Sequence, residues 1–235
     1  MTDAGAVGRV GIVGAGRMGR ALAARIGLVR APVVVSRSAG ELDLGDGRTV
    51  RIGADPAALG DCPVVILAVP AGEVAAALAW IRPQLRSDAL VVNPATELAT
   101  SDLDGAGVRL VGCKIIGQSG QIQRGVPAAL IVDGAAAAER TVLATMLRPV
   151  GVVLDGPEGL VATVNDLVAR RMVAAQLELA RELDLLGLPT AARDAAIGNL
   201  AAGVWQAVAA GNTGPFLTRI VAECAAGATT AGGSD

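Results

Sequence analysis

The sequence predicts a doubly wound α/β fold with a mostly parallel sheet, followed by an all-α segment. Over the first two thirds of the chain, short β-branched runs alternate with helix-like patterns, which is typical of a parallel sheet covered by helices. From Gly159 onward the strand-like runs stop, and Ala, Leu and Val recur at helical spacing. We therefore place one domain at residues 1–156 and a helical second domain at residues 157–235.

Seven apolar runs predict the strands of the sheet. They are Arg9–Val13, Pro32–Ser36, Pro63–Val69, Ala89–Asn93, Val108–Gly112, Ala128–Val132 and Val150–Leu154. Helical patterns at Met18–Leu28, Gly72–Ile81 and Ala135–Leu147 connect some of these strands. The turn signal Gly45-Asp46-Gly47 predicts a short hairpin, or else an irregular excursion, after the second strand. Breaks at 187–189 and 211–215 divide the second domain into three helices, the first of them long.

Composition and charge indicate a globular protein that acts on a small molecule. The formal net charge is −2, and its 20 basic and 22 acidic side chains are spread along the chain, so no basic face for nucleic acid is predicted. No apolar run reaches the roughly 20 residues of a membrane span, and the start lacks a signal-peptide pattern. We expect a cytoplasmic protein with a small-molecule substrate and with neither a nucleic-acid nor a membrane partner.

Cysteine and histidine usage narrows the chemistry. The 3 cysteines are odd in number and far apart, which favours reduced thiols over a disulfide framework or a metal site. Histidine and tyrosine are both absent, so the usual general acids are missing. A proton donor, if the protein needs one, must be another group.

A glycine turn joins the first strand to the first helix. Gly14, Gly16 and Gly19 follow Val10–Val13 in the G-x-G-x-x-G spacing. Gly14 permits the tight turn, Gly16 lets a pyrophosphate approach the backbone, and Gly19 lets the helix pack on the strand. Arg17 and Met18 begin that helix, whose N-terminal N–H groups attract anions. The pattern predicts a Rossmann dinucleotide site with these five residues as cofactor contacts.

The tip of the second strand indicates which dinucleotide is bound. NAD-binding proteins usually place Asp or Glu there for the ribose hydroxyls. Here the tip is Ser36-Arg37-Ser38, a guanidinium flanked by two hydroxyls, and this set suits a 2′-phosphate. We therefore predict NADP(H) as the cofactor; the alternative is a merely polar exit from the strand.

Two further strand ends carry candidate cofactor contacts. Val69 and Pro70 end the run Pro63–Val69, beside the expected nicotinamide ribose, although a plain helix start explains them nearly as well. Asn93 ends the next strand, where it either bonds the carboxamide or ribose or serves an Asn-Pro turn.

With these pieces in place, the chain resembles the pyrroline-5-carboxylate reductase family. The resemblance rests on residues 14–19, 64–69, 209–221 and 226–232. It implies an NADPH-binding Rossmann domain joined to a helical dimerisation domain, and hence a homodimer formed through the C-terminal helices. Thr229 and Thr230 match the threonine pair of the family's substrate-carboxylate motif, so the resemblance makes them substrate-binding candidates; a frayed tail of small residues is the alternative.

Two stretches depart from the family pattern. Residues 161–166 replace a Ser-Gly-rich helix start, and Cys113-Lys114-Ile115 stands where the family has Met-Pro-Asn. We therefore expect NADPH-dependent reduction of a small imine or cyclic imine acid rather than proline biosynthesis itself. An NADPH-dependent carbonyl or hydroxyacid reductase, a deazaflavin-dependent NADP reductase and a non-catalytic NADP-binding sensor are the alternatives.

The catalytic candidates lie at two predicted element ends. Lys114, the single lysine, follows the strand Val108–Gly112 and could polarise a carbonyl or bind a carboxylate, or else be a surface lysine. Asp166, near the start of the long helix, could protonate an imine if it is desolvated. Alternatively, it is an ordinary carboxylate that the helix dipole stabilises at this end. Asn165 beside it, and Gln118 in the polar loop of residues 117–125, are the substrate-binding candidates.

Overall fold

The computed structural model of the protein describes residues 8–103 and 107–231, with side chains up to residue 226. The chain divides into two units, residues 1–167 and 168–235, so the division falls eleven residues beyond the predicted one, inside a long helix.

The first unit is built on one sheet, in which nine strands are found among the described residues. In chain order they are β1 Val10–Val13, β2 Val33–Val35, β3 Gly40–Asp43, β4 Thr49–Gly53, β5 Val64–Leu67, β6 Leu90–Asn93, β7 Arg109–Ile116, β8 Ala128–Asp133 and β9 Gly151–Asp155. Their order across the sheet is β3-β4-β2-β1-β5-β6-β7-β8-β9. The pairs β3–β4 and β7–β8 are antiparallel and all others are parallel. The predicted α/β Rossmann fold class and the predicted hairpin are confirmed.

Helices cover the sheet and continue beyond it. In chain order they are α1 Arg17–Ile26, α2 Val74–Ile81, α3 Ser119–Gln123, α4 Ala137–Leu147, α5 Gly159–Leu185, α6 Thr190–Ala195, α7 Ala202–Ala209 and α8 Pro215–Ala231. A π-helical stretch, Ala196–Ala201, joins α6 to α7 without a break. The described chain from residue 159 onward therefore has the three helical stretches that the sequence predicts, the first of them 27 residues long.

The core occupies both faces of the sheet. On β5, Val64 and Ile66 belong to a buried cluster that includes Leu22 of α1, while Val65 and Leu67 belong to a second cluster on the other face. Side chains alternate between faces along a strand, so burial on both sides requires a continuous apolar run. Each fully buried side chain of this kind contributes roughly 1.5–3 kcal/mol.

Two predictions about the segment after residue 108 are wrong. Strand β7 runs to Ile116 rather than ending at Gly112, because β8 pairs antiparallel with its second half. The polar segment 117–125 is not a loop, since helix α3 lies within it. Gln118 begins that helix by accepting a hydrogen bond from the Gln121 N–H (3.0 Å), and Ile122 anchors it in the core.

The described residues of the second unit form no buried interior. None of the described residues from 168 to 226 is buried. Large apolar side chains are instead widely exposed, among them Leu186 (74%), Phe216 (69%) and Trp205 (61%). An apolar surface of this extent is rare on a unit that stays alone in water.

Among the described residues, no helix combines the length and the apolar character that a membrane span requires.

Candidate active site

Two adjoining cavities lie at the carboxyl ends of the parallel strands. The first, about 500 Å³, extends from the glycine turn to the tip of β2 and to helix α2. The second, about 590 Å³, extends from the same turn to the segment after β6 and to the start of α5. Gly16, Ala68, Val69 and Pro70 line both. The predicted contacts Val69 and Pro70 therefore lie where the two cavities meet.

The backbone geometry requires glycine at both ends of the glycine turn. Gly14 has φ +104°, and a Cβ there would lie 2.5 Å from the carbonyl oxygen of Ala68. A Cβ on Gly19 would collide with the carbonyl oxygen of Gly14. Gly16 differs, because an added Cβ would have nothing within 4 Å. Its free face borders both cavities and leaves room for a ligand at the backbone.

Helix α1 presents its N-terminus at this junction. Gly16 is its N-cap, no side chain caps it, and the first turn contains no acidic residue. The first N–H groups of a helix have no intrahelical acceptor, and the helix dipole makes this end positive. Gly16, Arg17 and Met18 line the second cavity, so the helix offers an anion site there.

The far end of the first cavity is polar. Ser36 and Arg37, which follow β2, both line it, whereas Ser38 is exposed and does not. Arg37 Nη2 donates to Glu73 Oε2 at 2.8 Å. The sequence interpretation missed Glu73 and Trp80, which line the cavity together with Ala76 and Ala77. The spacing i, i+3, i+4, i+7 of these four residues, which puts them on one helix face, was the available signal.

The second cavity collects polar side chains from four parts of the chain. Arg17 comes from α1, Thr96 and Glu97 from the segment after β6, Gln118 and Ser119 from the start of α3, and Asn165 from α5. Asn165 Nδ2 donates to the carbonyl oxygen of Ile115 at 3.1 Å, which fixes the orientation of its amide. Glu97 supplies the only carboxylate among the residues that line this cavity.

The other predicted substrate residues lie elsewhere. Asp166 is exposed on α5 and does not line the second cavity, so its role as a proton donor stays a prediction. Thr229 and Thr230 belong to helix α8, but the structure does not describe their side chains.

Asn93 is fully buried and holds the segment after β6. Its Nδ2 donates to Leu98 O and Thr100 Oγ1, both at 3.1 Å, and its Oδ1 accepts from Ala95 N at 3.1 Å. Both amide protons are therefore engaged within the protein. The predicted bond to a carboxamide or ribose has no counterpart here, and the alternative of an Asn-Pro turn describes the geometry.

Lys114 is buried as well, with 1% of its surface exposed. Its Nζ donates to Ala95 O (2.6 Å) and Leu98 O (2.7 Å) and lies 3.2 Å from Glu158 Oε2. Burial lowers the pKa of this ammonium, and the charge of Glu158 opposes that shift. Three acceptors engage three protons, and the side chain lies inside β7 rather than beyond its end. The predicted cleft ammonium therefore has no counterpart in the structure.

Glu158, just before α5, completes this support. Its carboxylate accepts from Thr100 N (2.6 Å) and Thr100 Oγ1 (2.7 Å) and faces the Lys114 ammonium. Asn93, Lys114 and Glu158 together hold residues 94–100, which supply one wall of the second cavity. No local sequence pattern marks Glu158, because its partners are 58 and 44 residues away in the chain.

The first part of the chain is similar to a known protein family. A family model described as "NADP oxidoreductase coenzyme F420-dependent" matches residues 9–97. The match covers strand β6 and also the glycine turn and Ser36-Arg37, and the sequence prediction of NADP(H) rests on these last two features. No curated protein sequence matches the chain significantly.

Solved structures extend the likeness to the second unit. A pyrroline-5-carboxylate reductase from Coxiella burnetii is 18% identical with a TM-score of 0.68, over 97% of this chain and 92% of that one. A pyrroline carboxylate reductase from Plasmodium falciparum with NADP bound is 15% identical with a TM-score of 0.65, over 85% and 78%. A reductive aminase from Aspergillus terreus in complex with NADPH and ethyl-5-oxohexanoate is 19% identical with a TM-score of 0.56, over 87% and 78%. The predicted resemblance to pyrroline-5-carboxylate reductases is confirmed at the level of the fold.

The structure predicts that Lys114 supports the fold. Lys114→Met leaves the Glu158 carboxylate, whose side chain is only 16% exposed, without its cation, so we expect the free energy of unfolding to fall by about 3 kcal/mol. The double variant Lys114→Met, Glu158→Gln removes both charges and should recover at least half of that loss. Urea unfolding followed by circular dichroism measures both. A Lys114→Met protein as stable as the wild type would contradict the supporting role.

Proposed function

We propose that the chain is an NADPH-dependent reductase of a small imine or cyclic imine acid. The observation that carries the proposal is the pair of cavities joined at Gly16, with a guanidinium at one end and a set of polar groups with one carboxylate at the other. This arrangement fits a dinucleotide that lies across the glycine turn, with a reacting group beyond its second half.

The residues of the first cavity and of the turn fit NADPH. Ser36 and Arg37 would hold the 2′-phosphate, because a guanidinium and a hydroxyl both donate to phosphate oxygens. Gly16, Arg17 and Met18 at the start of α1 would hold the pyrophosphate, since the open face of Gly16 allows close approach. When bound, this cofactor supplies the hydride. The protein must then orient the substrate and control its proton.

We assign these tasks to the second cavity. Gln118, Ser119 and Asn165 provide amide and hydroxyl groups that can position a substrate. Glu97 would hold the proton on an imine nitrogen while the adjacent carbon receives the hydride. A carboxylate favours a cationic iminium and disfavours a developing alkoxide, so Glu97 supports C=N over C=O reduction. The resemblance adds Thr229 and Thr230 as proposed contacts of a substrate carboxylate.

One observation favours a second candidate. The family model that matches residues 9–97 is described as coenzyme F420-dependent, and such an enzyme would exchange hydride between NADP and a deazaflavin. The helical segment of residues 159–231 argues against it, because the likeness of the whole chain is to pyrroline-5-carboxylate reductases. Reduction of NADP⁺ by reduced coenzyme F420, without NADPH oxidation by any imine, would favour this candidate.

We also propose that the protein is a homodimer formed through α5–α8. The described part of the second unit has no buried residue, and burying its exposed Leu, Trp and Phe side chains against another surface would be favourable. A second copy is the partner always available to them, and an isologous pairing would bury the same side chains twice.

Charge reversal at Arg37 tests the cofactor assignment. Arg37→Asp removes the guanidinium and adds a repelling charge, so we expect the Kd for NADPH to rise about 30-fold and that for NADH less than threefold. Isothermal titration calorimetry measures both. Arg86→Asp is the matched control, because it reverses a charge of another exposed ion pair, that with Asp88. Equal loss of both cofactors would remove the phosphate assignment.

Paired amide variants test the proton site. Glu97→Gln should lower kcat for reduction of a cyclic imine acid, such as a pyrroline or piperideine carboxylate, by about 100-fold and leave the Kd for NADPH unchanged. Asp166→Asn, the matched control, should retain at least half of the wild-type kcat. Steady-state NADPH oxidation measures the rates. The reverse order of the two effects would move the proton role to Asp166.

Sedimentation velocity tests the dimer. The wild-type chain should sediment as a dimer at micromolar concentration, and Trp205→Glu should shift it towards the monomer, because a charge would have to be buried in the interface. A stable wild-type monomer would refute the proposed assembly.

A further inference from the structure

The ion pair between Arg37 and Glu73 joins two sides of the first cavity. Arg37 follows β2 and Glu73 follows β5, and these strands flank β1 in the sheet. The pair therefore spans the strand that carries the glycine turn. Both side chains line the cavity, and both remain accessible to solvent, at 82% and 46% exposure.

This geometry gives Arg37 an anionic partner before any ligand arrives. Nη2 lies 2.8 Å from the carboxylate of Glu73, the distance of a charge-assisted hydrogen bond. A 2′-phosphate that uses Arg37 must either displace this carboxylate or share the guanidinium with it. Both outcomes weaken its binding, because displacement breaks an ion pair and sharing brings two anions together.

The same carboxylate suits the other cofactor. In dinucleotide sites an Asp or Glu that bonds the ribose hydroxyls favours NAD, and it normally stands at the tip of the second strand. Here that tip carries Ser36 and Arg37, but Glu73 brings a carboxylate to the same cavity from the end of β5, on the other side of β1. The cavity thus contains both a cation for a phosphate and an acceptor for hydroxyls.

We infer that Glu73 is a specificity-determining residue, which narrows the preference for NADPH over NADH by competing with the 2′-phosphate for Arg37 and by accepting from the ribose hydroxyls of NADH. The inference rests on the proposed cofactor role of the first cavity. It makes the protein able to bind both reduced cofactors, with a preference smaller than Arg37 alone would produce.

Neutralising Glu73 without changing its shape tests the inference. Glu73→Gln should lower the Kd for NADPH roughly threefold to tenfold, since an exposed pair is screened by water, and should leave the Kd for NADH unchanged or higher. Isothermal titration calorimetry with each cofactor, without substrate, gives these constants independently of turnover. The same measurement with 2′,5′-ADP and with 5′-ADP isolates the contribution of the 2′-phosphate. Glu41→Gln is the matched control, because Glu41 is an exposed residue of β3 outside the cavity.

A double-variant cycle identifies the partner. In an Arg37→Gln background, Glu73 has no guanidinium to compete for, and only its repulsion of the 2′-phosphate remains. The change that Glu73→Gln causes in the Kd for 2′,5′-ADP measures this repulsion. Beyond that change, the Kd for NADPH should shift less than twofold. Unchanged NADPH binding by Glu73→Gln, or an equal change for both cofactors, would overturn the inference. A wild-type chain that binds neither cofactor would instead overturn the proposed function.

Discussion

Parallel pairing of β2, β1, β5 and β6 brings the carboxyl ends of four strands to one edge of the sheet, and the site depends on this constraint. Each strand end delivers a different group: the glycine turn after β1, Ser36 and Arg37 after β2, Pro70 and Glu73 after β5, and Glu97 after β6. Residues that are far apart in the chain thereby line one continuous groove. The buried valines and isoleucines of the strands hold this edge in register on both faces of the sheet.

Several features were predictable because their causes are local. The turn at Gly14–Gly19 follows from glycine geometry and from the strand and helix on either side, and Ser36-Arg37 follows from its place at a strand end. The apolar runs of the strands and the long helix from residue 159 are likewise patterns of period two and period 3.6. The family resemblance rested on the same segments and led to the correct fold.

The failures have non-local causes. Lys114 seemed to lie beyond a strand end, but antiparallel pairing with β8 extends β7 and draws the ammonium into the interior. Glu158, which compensates that charge, comes from a segment 44 residues further on. Asn93 does lie at the end of β6, as predicted, but its side-chain amide forms its hydrogen bonds with the segment that follows. Glu73 and Trp80 belong to the site only because β5 lies beside β1.

In the proposed function the two ends of the groove have separate roles. Ser36, Arg37 and Glu73 at one end would contact the phosphate and ribose of the cofactor, and Glu97, Gln118 and Asn165 at the other end would contact the substrate. A crystal structure of the protein with NADPH tests this division most directly. We expect the 2′-phosphate at Ser36 and Arg37, the pyrophosphate at the start of α1 and the nicotinamide in the cavity lined by Glu97 and Asn165. Adenosine in the second cavity, or NADPH bound away from the glycine turn, would contradict it.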